Sequence, residues 1–160
     1  MTVRPTARVR PARSADIPAL TEIAHAAKRH WGYPDEWMAH WRGELTITPA
    51  QLVRDHVFVA TEGANLIGFY ALREMDPGWS LEHCWVRPAW IGRGIGRLLF
   101  DHCVSEIRRG RPGTLRIESD PHAAGFYRRM GAVPIGKVDA SLDGPVRALP
   151  VLVLDIASSP

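Results

Sequence analysis

The chain has 160 residues, a formal net charge of +3, 46% hydrophobic residues and 23% charged residues. This composition excludes a disordered chain or a nucleic-acid-binding arm, and the length predicts a single domain over residues 1–160. No segment approaches the roughly 20 apolar residues of a membrane helix, and residues 1–16 lack the apolar stretch of a secretory signal. We therefore expect a cytoplasmic protein.

The first third of the chain predicts one strand followed by helices. Residues 7–11 form a short edge strand, because Arg and Pro suit an edge. Asp16 is expected to cap a helix that ends at the Gly-Tyr-Pro sequence of 32–34. The apolar residues of that helix recur at helical spacing: Ile17, Leu20, Ile23, Ala24 and Ala27. A short helix over 36–41 and a helical turn from Thr48 follow.

Three segments with strand character come next, 56–61, 66–73 and 80–86, and short turn sequences separate them. Such turns join neighbouring strands, so we expect an antiparallel meander. A long amphipathic helix follows Gly94. It should connect the strand at 80–86 to a parallel strand at 114–119.

A short helix over 122–130 and strands over 133–138 and 148–156 complete the chain. The predicted order is βααβββαβαββ. This order is typical of an α/β fold with a mixed central sheet of about seven strands and flanking helices.

The cysteines and histidines are not spaced for metal binding. Cys84 and Cys103 form no CxxC pair, which favours two reduced thiols. Among the seven histidines, His25 and His30 lie five residues apart, a spacing that suits no helix face. We therefore predict no metal site.

The most informative segment is 91–97, Ile-Gly-Arg-Gly-Ile-Gly-Arg, which follows a strand ending at Val86. Its glycines allow backbone N–H groups to approach a phosphate, and the helix N-terminus adds unpaired donors and partial positive charge. Its two arginines add mobile charge. The segment predicts an anion site that suits a pyrophosphate, with a ligand-free Gly-rich turn as the alternative.

Two other phosphate-binding loops do not fit this segment. A GxGxxG dinucleotide motif needs a third glycine, but Arg97 stands there counting from Gly92, and Leu99 counting from Gly94. A Walker loop needs a lysine directly after its last glycine, and none follows here.

This segment resembles the acetyl-CoA motif of the GNAT superfamily, Gln/Arg-x-x-Gly-x-Gly/Ala after a strand ending Val-x-Pro. A second segment, 120–132, resembles the family pattern Asp-Pro-Asn-Ala-x-x-Phe-Tyr-x-x-x-Gly. Ile91 stands where the family usually has Gln or Arg, and His122 where it usually has Asn. With the element order, the resemblance spans about residues 7–156.

The resemblance implies an N-acetyltransferase that uses acetyl-CoA as its cosubstrate. It implies that backbone groups of Cys84, Trp85 and Val86 meet the pantetheine arm, and that His122 and Phe126 flank it. The pyrophosphate would be held by Gly92, Arg93, Gly94, Ile95, Gly96 and Arg97. Tyr127 would direct its hydroxyl at the thioester sulfur.

The chemistry of acetyl transfer supports these roles, since it needs a neutral amine, a polarised carbonyl and a proton for the leaving thiolate. A backbone N–H near Trp85 would stabilise the oxyanion, and Tyr127 would donate to the thiolate. The alternative for Tyr127 is a core aromatic residue.

Glu82 is the first candidate for the general base. Strand alternation predicts that it shares a face with Cys84 and Val86, and we expect it to act through a water. The alternative is a salt bridge with a neighbouring arginine. His83, on the other face, is the second candidate base.

The acceptor site is expected near the break between the first two helices. The candidate substrate residues are His30, Trp31, Tyr33, Glu82 and His83. Trp37 and Trp41 line the same region or belong to the core.

Three functions stay open: acetylation of a primary amine of a small metabolite by direct attack, acetylation of a protein or aminoacyl-tRNA amine, and CoA sensing without turnover. The positive net charge supports the second, and the departures at Ile91 and His122 leave the third open. We expect a small-molecule acceptor and no membrane or nucleic-acid partner. Whether the chain forms a homodimer stays open.

Overall fold

The computed structural model describes residues 6–140 and 147–158. One mixed sheet contains seven strands in the order β1-β2-β3-β4-β5-β7-β6. The strands are β1 Arg8–Pro11, β2 His56–Glu62, β3 Asn65–Glu74, β4 Trp79–Val86, β5 Gly113–Glu118, β6 Val133–Ala140 and β7 Arg147–Ile156. The helices are α1 Ile17–His30, α2 Asp35–His40, α3 Arg42–Leu45, α4 Pro49–Arg54, α5 Ile95–Arg109 and α6 Ala124–Arg129.

The predicted α/β class and the seven strands are confirmed. Four helices, instead of two and a turn, connect β1 to β2. In the described ranges, no helix is long and apolar enough to span a membrane.

Asp16 is the N-cap residue of α1, as predicted, but its side chain makes no capping hydrogen bond to that helix. Its carboxylate accepts hydrogen bonds from Arg10 Nη1 at 2.8 Å and from the backbone N–H of Arg13 at 2.7 Å. It thereby closes the 3-10 turn Ser14–Asp16. The charge of Arg10, which lies on β1, holds the carboxylate in this position.

Each face of the sheet buries its own apolar cluster. The α5-side cluster includes Ile95, Leu99, Phe100, Cys103 and Ile107 of the helix, with Tyr70 and Leu72 of β3. The α1-side cluster includes Leu20, Ile23 and Ala24 of the helix, with Phe69 and Ala71 of β3. Because alternate residues of β3 face opposite clusters, this strand is buried on both faces.

The parallel strands β4 and β5 separate along their length. Their register contains only two pairs, Trp79 with Leu115 and Ser80 with Arg116. Beyond Ser80, the edge of β4 that faces β5 has no strand partner among the described residues, whereas β5 stays paired with β7. A cleft therefore opens between the carboxyl ends of β4 and β5.

Candidate functional site

The cleft between β4 and β5 has a volume of about 570 Å³. Its walls come from residues 81–86, from the loop and helix start at 90–97, and from residues 117–129, while Ala27 and Trp31 close it on the α1 side. The volume lies in the range of pockets that hold a small molecule or a cofactor.

The start of α5 forms one end of the cleft. Gly92 and Gly94 have φ of +82° and +83°, a region that disfavours side chains, and Gly94 is the N-cap residue. Among the residues that the structure describes, no side chain caps this helix. A Cβ at Gly96 would approach the Phe126 ring to 3.4 Å, so a glycine keeps the first turn close to α6. The N–H groups of this first turn have no partner within the helix and can bind an anion.

The two arginines of this loop differ in position. Arg97 lines the cleft, with 76% of its side chain exposed and Asp101 at 3.8 Å. Arg93 lies over the Trp90 ring, with its guanidinium carbon 4.8 Å from the ring centroid. Ile91 is 46% exposed and lines the cleft as well.

Tyr127 and Cys84 meet in the floor of the cleft. The Tyr127 hydroxyl and the Cys84 thiol lie close enough for each to shift the pKa of the other. Burial raises the pKa of the Cys84 thiol to about 12, and burial also raises the pKa of Tyr127 well above its usual value. Both groups therefore stay protonated at neutral pH, and Tyr127 has an O–H proton to donate.

Glu82 lies in a β-bulge, which overturns its predicted placement. Ala71 pairs with His83 but Leu72 pairs with Leu81, so Glu82 has no partner on β3. Leu81, Cys84 and Val86 contact the α5-side cluster even though Leu81 and Cys84 are three residues apart. Strand alternation thus breaks at Glu82.

The Glu82 carboxylate instead forms an ion pair with Arg73 at 3.1 Å. Arg73 also donates from Nε to Asp55 Oδ1 at 2.8 Å. Glu82 lines the cleft while it makes this ion pair. The predicted alternative, a salt bridge with a neighbouring arginine, is therefore present.

His83 lines the cleft with one ring nitrogen already hydrogen-bonded. Trp85 Nε1 donates to His83 Nδ1 at 3.0 Å. Burial lowers the pKa of His83 to about 4, so the imidazole is neutral at neutral pH.

Asp120 centres a polar network that sequence reasoning missed. It accepts from Lys28 Nζ at 2.7 Å, from the Tyr33 hydroxyl at 2.9 Å and from the backbone N–H of His122 at 2.9 Å. Arg147 Nη2 lies 3.4 Å from the same carboxylate. The Asp120 side chain is 7% exposed, so it depends on these donors for its charge. The motif contained Asp120, but its partners are remote in sequence and gave no local signal.

The aromatic residues of the helix break divide into two groups. Trp31 lines the cleft and stacks on His122, with ring centroids 5.1 Å apart. Tyr33, Trp37 and Trp41 contact one another behind it. Lys28 Nζ lies 4.3 Å from the Trp41 ring centroid. Tyr33 and His30, both predicted near the acceptor, do not line the cleft.

Trp90, Ser119 and Arg129 line the cleft and were also missed. In the described part of the chain, no three His, Cys, Asp or Glu side chains are grouped to hold a metal ion.

A family model described as the acetyltransferase (GNAT) domain matches residues 53–131, which run from the end of α4 to just past α6. None of the curated proteins matches the chain. Residues 53–131 are therefore a GNAT acetyltransferase domain, and the chain is an acyltransferase, as the sequence predicted.

Solved structures share this fold over nearly the whole chain. A GCN5-related N-acetyltransferase from Rhodopseudomonas palustris has a TM-score of 0.84 at 20% identity, covering 97% of this chain and 99% of that chain. The ribosomal-protein-S18-alanine N-acetyltransferase from Escherichia coli has a TM-score of 0.71 at 18% identity, covering 97% of both chains. The paia N-acetyltransferase from Thermoplasma acidophilum, in complex with coenzyme A, has a TM-score of 0.71 at 17% identity, covering 94% and 99%. These identities define the fold and no substrate.

Proposed function

We propose that this chain, as a single domain, transfers the acetyl group of acetyl-CoA to a primary amine of a small molecule. The observation that carries the proposal is the cleft itself. An uncapped helix N-terminus lies at one end of the cleft, an unpaired strand edge along its wall, and a protonated tyrosine in its floor. These three features match the pyrophosphate, the amide-containing arm and the thioester of acetyl-CoA.

The residues present fit acetyl-CoA. The N–H groups at the start of α5 and the Arg97 guanidinium would hold the pyrophosphate. The free edge of β4 at Cys84, Trp85 and Val86 offers backbone N–H and C=O groups to the pantetheine amides. Phe126, packed near Gly96, and His122 would flank that arm.

The side chains of the cleft supply the proton transfers. An amine arrives mostly as an ammonium ion, and the Glu82 carboxylate would accept one of its protons through a water. A backbone N–H near Trp85 would stabilise negative charge on the acetyl oxygen. Tyr127, which stays protonated at neutral pH, would donate its hydroxyl proton to the sulfur as the carbon–sulfur bond breaks.

The aromatic residues at the mouth of the cleft support a small acceptor. Trp31, which directly follows α1, and His122 of the β5–α6 segment stack on each other, and both line the cleft. Glu82 and Glu118 provide carboxylates near this mouth that attract a cationic amine. A flat protein or tRNA surface would reach the thioester less readily past these rings.

The test is a thiol-release assay with acetyl-CoA and a panel of primary amines, amino acids, peptides and aminoacyl-tRNA, with products identified by mass. We expect release that depends on a small amine. Release only with peptides or aminoacyl-tRNA would overturn the acceptor class. Acetyl-CoA binding without turnover on any acceptor would identify a sensor instead of an enzyme.

A further inference from the structure

Two histidines line the cleft, and their Nδ1 atoms have opposite kinds of hydrogen-bond partner. Nδ1 of His83 accepts from the Trp85 indole. An indole N–H only donates, so neutral His83 carries its proton on Nε2. His83 therefore offers the cleft a donor and no basic nitrogen.

His122 has the reverse arrangement. Its Nδ1 lies 2.9 Å from Asp120 Oδ1. Burial by itself would raise the pKa of Asp120, but hydrogen bonds from Lys28 and from the His122 backbone outweigh burial and hold that pKa below its usual range. An ionised carboxylate only accepts, so the proton between the two groups belongs to His122 Nδ1. The lone pair of the neutral ring is then on Nε2, at the ring edge remote from Asp120.

Two contacts fix the orientation of the His122 ring. Trp31 stacks on its face with an interplanar angle of 12°, and Asp120 holds its Nδ1 edge. The Tyr33 hydroxyl, 2.9 Å from Asp120 Oδ2, can donate to that oxygen and leave Nδ1 to donate to Oδ1. A carboxylate that holds an imidazole in one tautomer is the arrangement that orients a histidine base.

The charged and titratable groups around the ring come from several elements. Asp120 and Tyr33 contact Nδ1 directly. Lys28 of α1 and Arg147 of β7 contact Asp120 and balance its charge. The His122 side chain is 44% exposed, so Nε2 can exchange protons with solvent.

We propose that Nε2 of His122 accepts the second proton that the acceptor amine must lose. This rests on the proposed function. The ammonium loses its first proton before attack, by way of Glu82. Once the new C–N bond has formed, the nitrogen carries one more proton than the amide keeps.

In this step the N–H bond breaks and its proton moves to Nε2, while the carbon–sulfur bond breaks and its electron pair goes to sulfur. Tyr127 gives its hydroxyl proton to that sulfur. Exchange with water then removes the protons from Glu82 and His122 and returns one to Tyr127, so the cleft ends as it began. Glu82 and His122 thus accept different protons of the same nitrogen.

The kinetic test compares His122→Asn with His40→Asn, the same replacement on the exposed end of α2. With the best amine of the panel, we expect kcat of His122→Asn to fall about 100-fold. The acetyl-CoA Kd and the Tm should stay near wild type, because Asn is the residue the family usually has there. The His40 variant should match wild type.

Two further measurements separate His122 from Glu82. Raising the pH toward the pKa of the amine should not restore the activity of His122→Asn, because the impaired proton transfer comes after the amine has attacked the thioester. Free imidazole should restore activity to His122→Gly, whose cavity admits it. Recovery of His122→Asn at alkaline pH, or no rescue by imidazole, would assign the loss to another cause.

The tautomers are measured independently of any acceptor, by long-range ¹H–¹⁵N NMR of the wild-type chain with histidine variants for assignment. We expect the proton on Nδ1 at His122 and on Nε2 at His83. The same tautomer at both positions, or an unchanged kcat in His122→Asn, overturns the inference alone. A wild-type chain that acetylates no amine overturns the proposed function as well.

Discussion

Replacing Glu82 with Gln tests how the acceptor amine becomes neutral. The change removes one proton acceptor from the cleft and preserves the shape of the side chain. It also breaks the ion pair with Arg73, in which the side chains are 27% and 28% exposed. Arg73 keeps its two hydrogen bonds to Asp55, at 2.8 and 3.1 Å, so no buried charge is left unpaired.

The expected cost in stability is therefore small. A partly exposed pair contributes about 1 kcal/mol or less, which for a chain of this size shifts Tm by about 2–4 °C. The variant should fold and bind acetyl-CoA as wild type does. A larger loss would mean that the Glu82–Arg73 pair supports the bulge.

The expected cost in turnover is large near neutral pH. General base catalysis typically raises the reaction rate by about 10²-fold or more. For an alkylamine with a pKa of about 10.4, about one molecule in a thousand is unprotonated at pH 7.4. Each added pH unit multiplies that unprotonated fraction by about ten. Activity of Glu82→Gln should therefore rise steeply with pH and approach wild type near pH 10.

The assay is the pH–rate profile of kcat/KM for wild type, Glu82→Gln and Glu74→Gln. Glu74 is an exposed carboxylate at the end of β3, remote from the cleft, and its variant should match wild type. Profiles of equal height and shape for wild type and Glu82→Gln would refute the role of Glu82 and leave it as the partner of Arg73.

Acetyl-CoA at 100 times its Kd should stabilise the fold by about 2.7 kcal/mol, measured as a rise in Tm, and no rise at millimolar concentration would contradict the cosubstrate assignment. Arg97→Ala should weaken acetyl-CoA binding by about 1.5–3 kcal/mol but spare fragments without pyrophosphate; equal Kd values by calorimetry would make Arg97 a surface charge only. Tyr127→Phe should lower kcat about 10²-fold with little change in acetyl-CoA Kd, whereas wild-type kcat would make Tyr127 a packing residue. The pKa of His83, about 4 when folded against about 6.5 unfolded, means that the unfolded state binds more protons between these values. Denaturant titrations should therefore show stability falling by up to about 3 kcal/mol as pH drops from 6.5 to 4, and His83→Asn should reduce that slope.

Local patterns were enough to predict the strands, the longer helices and the position of the glycine-rich loop before α5. Helical spacing in α1 and α5 and the apolar strands β2 to β4 depend on neighbours a few residues away, so the sequence shows them directly. Gly92 and Gly94 mark the loop in the sequence because their positive φ values disfavour any residue with a side chain. The family resemblance rests on these same local motifs.

Tertiary structure decided the arrangement of groups within the cleft. The bulge at Glu82 depends on pairing with β3, so alternation along β4 alone gave the wrong face. Asp120 owes its charge to Lys28, 92 positions earlier, and to Arg147 of the last strand. The proton positions on His83 and His122 depend on whether the neighbour of Nδ1 is an indole or a carboxylate. Those neighbours come together only when the sheet has formed, because hydrogen bonds and charge pairs act over a few ångströms in space at any separation in sequence.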